Sequence, residues 1–200
     1  ELTNAICLVR DHADEWKLDP RKIAVCGFSA GGHLAASLAV RYDAPELQDV
    51  ERMAPGKNRP GAMILGYPVL SGGMEDDCGL NCFQTLTGEP VDGETFQKLS
   101  LIEQVNGQTP PAFLWHTDTD ELVNAAYTLQ MASVLHRNHV PLELHLFPEG
   151  PHGLSLATSE MNANGNAHIA HWMELCLEWL RGRFGVDPYR CEAPNVVTKR

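Results

Sequence analysis

The chain has 200 residues, 44% of them hydrophobic and 20% charged, which excludes wholesale disorder, collagen-like repeats and a disulfide-dense miniprotein. Its 26 acidic residues outnumber 15 basic ones, and the net charge of −11 argues against a nucleic-acid partner. No apolar run approaches the ~18 residues of a membrane span, and no leader pattern opens the chain, so the expectation is a cytoplasmic protein without a membrane partner.

Taken in order, residues 3–16 place Ala5, Ile6, Val9, Ala13 and Trp16 at helical spacing, and Leu18-Asp19-Pro20 ends that helix. Residues 22–26, Lys-Ile-Ala-Val-Cys, read as a buried strand ending at Gly27. An Ala- and Leu-rich helix over 30–40 follows directly. A second strand is expected at 62–67 and a third at 111–116. Between them, 71–107 is Gly- and Asp-rich, with short helical pieces only, and reads as a small insertion. A helix over 124–138, a fourth strand over 142–147 and a closing helix over 166–184 complete the pattern. Residues 186–200 lack periodicity and read as a loosely attached tail. Four alternations of strand and helix predict an α/β fold with a parallel sheet covered on both faces, in one domain spanning 1–200.

The six cysteines have no recognised metal-ligand spacing. Cys7, Cys26 and Cys176 lie in apolar runs, where a thiol behaves as a small buried hydrophobe. Cys78 and Cys82 flank Gly-Leu-Asn in an expected loop, leaving reduced thiols, a local disulfide and a metal clip open.

Gly27-Phe28-Ser29-Ala30-Gly31 matches G-x-S-x-G between a strand and a helix, the setting of a nucleophile elbow. A serine on such a turn projects its oxygen above the sheet, and Gly27 and Gly31 allow close backbone approach. The N–H of Ala30, at the helix N-terminus, is placed to face a developing oxyanion. The plain alternative is a glycine-rich turn with an incidental serine. A hydroxyl needs a base and an orienting acid. Asp120 follows the third strand and His152 the fourth, so all three residues fall at carboxyl ends of strands. Asp118 is a rival for the acid, and Glu149 a remoter one. His33, His116, His136, His139, His145, His168 and His171 fall on expected helices or strands and read as surface or satisfied core residues, as does His12. His168 and His171 are spaced to share a metal, but no third ligand is evident, so neither metal nor cofactor is expected.

Three segments together carry a family resemblance. Gly-Phe-Ser-Ala-Gly-Gly-His-Leu-Ala at 27–35, His-Thr-Asp-Thr-Asp-Glu-Leu-Val at 116–123 and Pro-Glu-Gly-Pro-His-Gly-Leu at 148–154 resemble the α/β-hydrolase esterases. The chain is most similar to their acetyl-xylan-esterase-like and carboxylesterase branch, and Asp19-Pro20-Arg21-Lys22-Ile23-Ala24-Val25 adds to the likeness. The resemblance implies a Ser29–His152–Asp120 triad, Ala30 as an oxyanion donor, and hydrolysis of short acyl esters such as acetyl groups on carbohydrates. It also implies a cap at 71–107 and a second oxyanion donor on a His-Gly-Gly loop before the elbow. No such loop is found in this sequence, so the chain reads as the C-terminal portion of the fold, truncated at its N-terminus. Strand 22–26 is then expected to expose an apolar edge that pairs with a second copy. A non-catalytic binding module and a prolyl-oligopeptidase-type peptidase are the alternatives.

Overall fold

The computed structural model describes residues 1–48, 54–72, 77–88, 90, 92–158, 160 and 167–185. The tail expected at 186–200 lies outside the described residues. The strands are β1 (Ala24–Phe28), β2 (Ala62–Gly66), β3 (Ala112–Thr117) and β4 (Leu142–Phe147). The helices are α1 (Leu2–Asp11), α2 (Ala13–Trp16), α3 (Ser29–Arg41), α4 (Pro45–Gln48), α5 (Asp77–Thr87), α6 (Gly93–Leu99), α7 (Ala126–Arg137), α8 (Ala167–Ala170) and α9 (Trp172–Phe184).

All strand pairs are parallel and lie in the order β1-β2-β3-β4. Every residue of β2 and β3 is buried, which is why β2 and the first four residues of β3 read as apolar runs. Successive side chains still part to opposite faces. Met63, Leu65 and Leu114 pack with Leu38 of α3 and Met131 and Leu135 of α7. Ile64, Phe113 and Trp115 pack with Trp172, Cys176 and Trp179 of α9. Strands laid down in one direction by right-handed crossovers put α3 and α7 on the same face. The opposite face is therefore left for the C-terminal α9.

Three elements differ from expectation. The first strand is 24–28, not 22–26. Its limits are set by pairing with β2, from Ala24 opposite Ala62 to Phe28 opposite Gly66, while Lys22 closes a turn on the Asp19 carbonyl. The helices expected over 3–16 and 166–184 break at His12 and His171, dividing into α1 with α2 and α8 with α9. Within 71–107, α5 is an 11-residue helix, longer than the short pieces expected. It forms because Phe83 anchors it in a buried cluster with Val69 and Val123. Cys78 and Cys82 lie on this helix, not in a loop, and pack against that cluster as thiols.

β1 ends the sheet, as expected for an edge strand. A groove of about 370 Å³ runs beside it, lined by Leu2, Ile6 and Val9 of α1 and Leu34 of α3. Cys26, expected to be buried, is exposed on this strand, which among the described residues has a partner on one side only.

Candidate active site

The turn from β1 into α3 brings the first functional side chain above the sheet. Ser29 has φ of +53°, a left-handed conformation that costs a non-glycine residue energy and is held by the surrounding packing. The packing is tight at Gly27, where a Cβ would lie 2.1 Å from the Gly31 carbonyl oxygen, and at Gly32, where it would lie 2.7 Å from Pro68 Cβ. At Gly31 an added Cβ would meet nothing within 4 Å. Of the two expected elbow glycines, Gly27 is thus the sterically required one, with Gly32 taking the part assigned to Gly31. Phe28 packs its ring against Tyr67 and Trp172, with centroids 5.7 Å away in each case. Ala30 lies in the first turn of α3, where a backbone N–H has no intrahelical acceptor and the helix dipole favours negative charge.

The loops after β3 and β4 bring two further side chains to Ser29. His152 Nε2 lies 2.8 Å from Ser29 Oγ, and its Nδ1 lies 2.7 Å from Asp120 Oδ2. Asp120 Oδ1 accepts from the backbone N–H groups of Leu122 and Val123, each at 2.9 Å. Burial pushes the Asp120 carboxyl upward, but hydrogen bonds from His116, His152, Val123 and Leu122 outweigh it and hold the group well below the ordinary carboxylate range. Asp118 is exposed, and Asp120 is the aspartate brought to His152. Glu149 is also exposed. The two loops are tied together by Thr117 and Thr119, whose hydroxyls donate to the Gly150 carbonyl at 2.9 and 3.3 Å. The Gly150 N–H returns a bond to Thr119 Oγ1 at 2.9 Å. Gly150 has φ of +157°, and a Cβ there would lie 2.8 Å from Thr117 Cγ2.

Two residues join this arrangement that sequence reasoning did not single out as functional. His116, read as a satisfied core residue, is fully buried, and its Nε2 lies 3.2 Å from Asp120 Oδ2. Tyr67 leaves β2 at φ of +37°, and its ring lies 4.8 Å from the His152 ring. The Tyr67 hydroxyl accepts from the Ser155 N–H at 2.7 Å, pinning the loop that carries His152, and burial pushes its phenol upward. Spacing carries no signal for Tyr67. For His116 the signal is a histidine ending a strand four residues before the acid.

Two depressions flank the serine and share Leu122. One, of about 900 Å³, runs between α3 and α5 and is lined by Ala30, Leu34, Val69, Phe83 and Leu86. The other, of about 860 Å³, is lined by His152, Thr119, Glu121 and Glu149. His33 Nδ1 lies 3.1 Å from the Val69 carbonyl oxygen beside the first groove, and burial pushes its imidazole downward. Among the described residues no group of three histidines, cysteines or carboxylates is placed to hold a metal ion. The His168 and His171 rings have centroids 6.1 Å apart.

Comparison with known proteins gives this geometry its relatives. The prolyl oligopeptidase family matches residues 74–184, more than half of the chain, and a family described as BD-FAE matches residues 1–64. Endo-1,4-beta-xylanase B of Butyrivibrio fibrisolvens is 33% identical over 93% of this chain, which spans 28% of that protein. The acetylxylan esterase of Xylanibacter ruminicola is 29% identical over 76% of this chain and 30% of its own length. Among solved structures, the acetyl ester-xyloside bifunctional hydrolase from Caldicellulosiruptor lactoaceticus superposes with a TM-score of 0.78 at 36% identity, covering 92% of this chain and 64% of that one. The chain therefore spans less than a third of these two curated relatives and about two thirds of the solved one. With its parallel sheet and flanking helices of α/β-hydrolase type, the chain belongs to the prolyl oligopeptidase family.

Proposed function

We propose that the chain is a serine hydrolase of carboxylic esters in which Ser29 is the nucleophile, His152 the general base and Asp120 the orienting acid. The observation that carries this reading is the continuous hydrogen-bond relay from Ser29 Oγ through both ring nitrogens of His152 to Asp120 Oδ2. In the first half-reaction Ser29 Oγ attacks the ester carbonyl carbon while His152 Nε2 takes its proton. The oxyanion faces the Ala30 N–H. Collapse breaks the bond to the alcohol oxygen, which leaves with the proton from His152. Water then attacks the acyl-enzyme, His152 accepts its proton and returns it to Ser29, and the carboxylic acid departs. No step calls for a cofactor or metal.

The alcohol must leave toward the proton on His152, and so over the depression lined by Glu121 and Glu149, which suits a hydroxyl-rich group. The acyl group then extends toward Ala30 and the groove under α5, in a segment that serves as a cap. Short acyl esters of carbohydrates fit this division, and the names of the acetylxylan esterase and the acetyl ester-xyloside hydrolase support it. The family's name favours a second reading, cleavage of peptide amides by the same three residues.

Labelling with a small fluorophosphonate, mapped against Ser29→Ala, tests the relay without presuming a substrate. Stoichiometric label on Ser29 is expected, and an unlabelled folded sample overturns the reading. Turnover of acetylated xylo-oligosaccharides and of an aryl ester series, set beside a prolyl peptide amide, then separates esterase from peptidase. Ester turnover above the Ser29→Ala background is expected, and none above it overturns the reading.

A further inference from the structure

His116 is a buried titratable group that the reaction sequence above leaves unused, and its three polar contacts determine its protonation. It is the penultimate residue of β3, with a fully buried side chain. Nε2 faces two acceptors, Asp120 Oδ2 at 3.2 Å and the Val123 carbonyl oxygen at 3.0 Å. A backbone carbonyl only accepts, so Nε2 must carry a proton. Nδ1 lies 2.8 Å from Thr128 Oγ1 at the start of α7, and a hydroxyl there can either donate or accept. A second ring proton would create a buried imidazolium against Asp120 and consume the charge that His152 needs as its counter-ion. Donation from Thr128 to Nδ1 satisfies every group with no added charge.

We infer that His116 is held as the neutral Nε2–H tautomer and acts as a positioning residue, which fixes the Asp120 carboxylate and moderates its pull on the His152 proton. The inference rests on the triad reading for its catalytic meaning, but not for its geometry. Asp120 Oδ2 is shared by two ring N–H donors, from His116 and His152, while Oδ1 takes two backbone N–H groups. Four donors around one carboxylate leave it a single orientation. They also divide its electron density, so that His152 competes with His116 for Oδ2. Removing the His116 donor makes Oδ2 a stronger acceptor and tightens the imidazolium form of His152. The other groups facing His152 are Ser29 on α3, Tyr67 after β2, Glu121 after β3 and Glu149 after β4. The substitutions below leave all of them in place.

Two-bond proton–nitrogen correlation spectra of the ¹⁵N-labelled protein read the tautomer directly. His116 is expected to be neutral with its proton on Nε2. A proton on Nδ1, or an imidazolium at neutral pH, overturns the inference. The same spectra follow the His152 ring through its titration in His116→Leu and His116→Gln. Leu removes the donor, and the midpoint is expected to rise by about one pH unit, the scale of a charge-assisted hydrogen bond. Gln carries an amide N–H that can reach the place of Nε2 and should restore the wild-type midpoint. A purely structural role would lower the folded fraction or all rates while leaving the midpoint unmoved, and that result also overturns the inference. The tautomer is read on the unmodified protein, so the test stands even if His116→Leu does not fold. Failure of Ser29 to label would sink the esterase reading while leaving both nitrogen measurements valid.

Discussion

The corner formed by the loops after β3 and β4 and the groove beneath α5 lie on either side of Ser29 and are built on opposite principles. In the corner, His152, Asp120, His116, Thr117, Thr119 and Gly150 are joined by hydrogen bonds of 2.7–3.3 Å, and the carboxylate has four donors. Under α5 the contacts are apolar, centred on Val69, Phe83 and Val123, and Leu86 remains 64% exposed. Hydrogen bonds are directional and fix geometry to fractions of an ångström, whereas apolar contacts tolerate changes of shape and size. Proton transfer needs the first kind of construction, and accommodation of an acyl group is compatible with the second.

Substitutions in the corner should therefore cost chemistry, and substitutions in the groove should change preference. The largest effect is expected for Asp120→Asn, which keeps the shape but removes the charge that orients His152. Ester turnover or fluorophosphonate labelling should fall by about 10⁴, and a fall below tenfold would remove Asp120 from the relay. Gly150→Ala comes next. The positive φ and the clash with Thr117 Cγ2 should cost about 2–4 kcal/mol in a denaturant melt, with labelling lost in proportion as the two loops part. A change under 0.5 kcal/mol would mean that the tie between the loops can relax.

The third test is acid stability. The native Asp120 carboxyl titrates below its unfolded value of about 3.9, so its stabilisation is fully present above that pH and disappears as pH falls toward the native value. The stability gap between wild type and Asp120→Asn should accordingly narrow below pH 4, and a gap that widens there would contradict the hydrogen-bonded carboxylate. Fourth, Leu86→Ala should leave stability within about 0.5 kcal/mol while shifting preference along an acyl-length series several-fold. Equal rates across the series would remove α5 from the acyl side. The smallest effect lies far from both regions, at the flank of β1 that no other strand of the described residues pairs with. Light scattering at high micromolar concentration is expected to report self-association through this edge, and a strictly monomeric sample would count against the pairing.

Much of this arrangement was legible before any tertiary structure. The sequence pattern predicts the strand over 142–147 with its observed limits, and those at 62–67 and 111–116 to within one residue, because short β-branched and apolar runs such as Ala62-Met63-Ile64-Leu65, bounded by turn residues, suit a strand buried on both faces. Gly27-x-Ser29 announced the elbow, and the chain order Ser29, Asp120, His152 placed the relay at the carboxyl ends of the strands. Less legible were the ends of β1, which its partner strand sets, and α5, whose helical length depends on Phe83 finding Val69 and Val123. The helix breaks at His12 and His171 carried no proline or glycine to announce them.

Local composition and periodicity thus determined the element types, the parallel sheet and the elbow serine, because a strand–turn–helix signature is written in consecutive residues. Tertiary structure alone decided that Asp120 and not Asp118 meets His152, that Gly32 and not Gly31 is the crowded glycine, and that His116 and Tyr67 stand behind the relay. Each of those outcomes depends on where two distant segments meet in space, and no spacing along one of them encodes that distance.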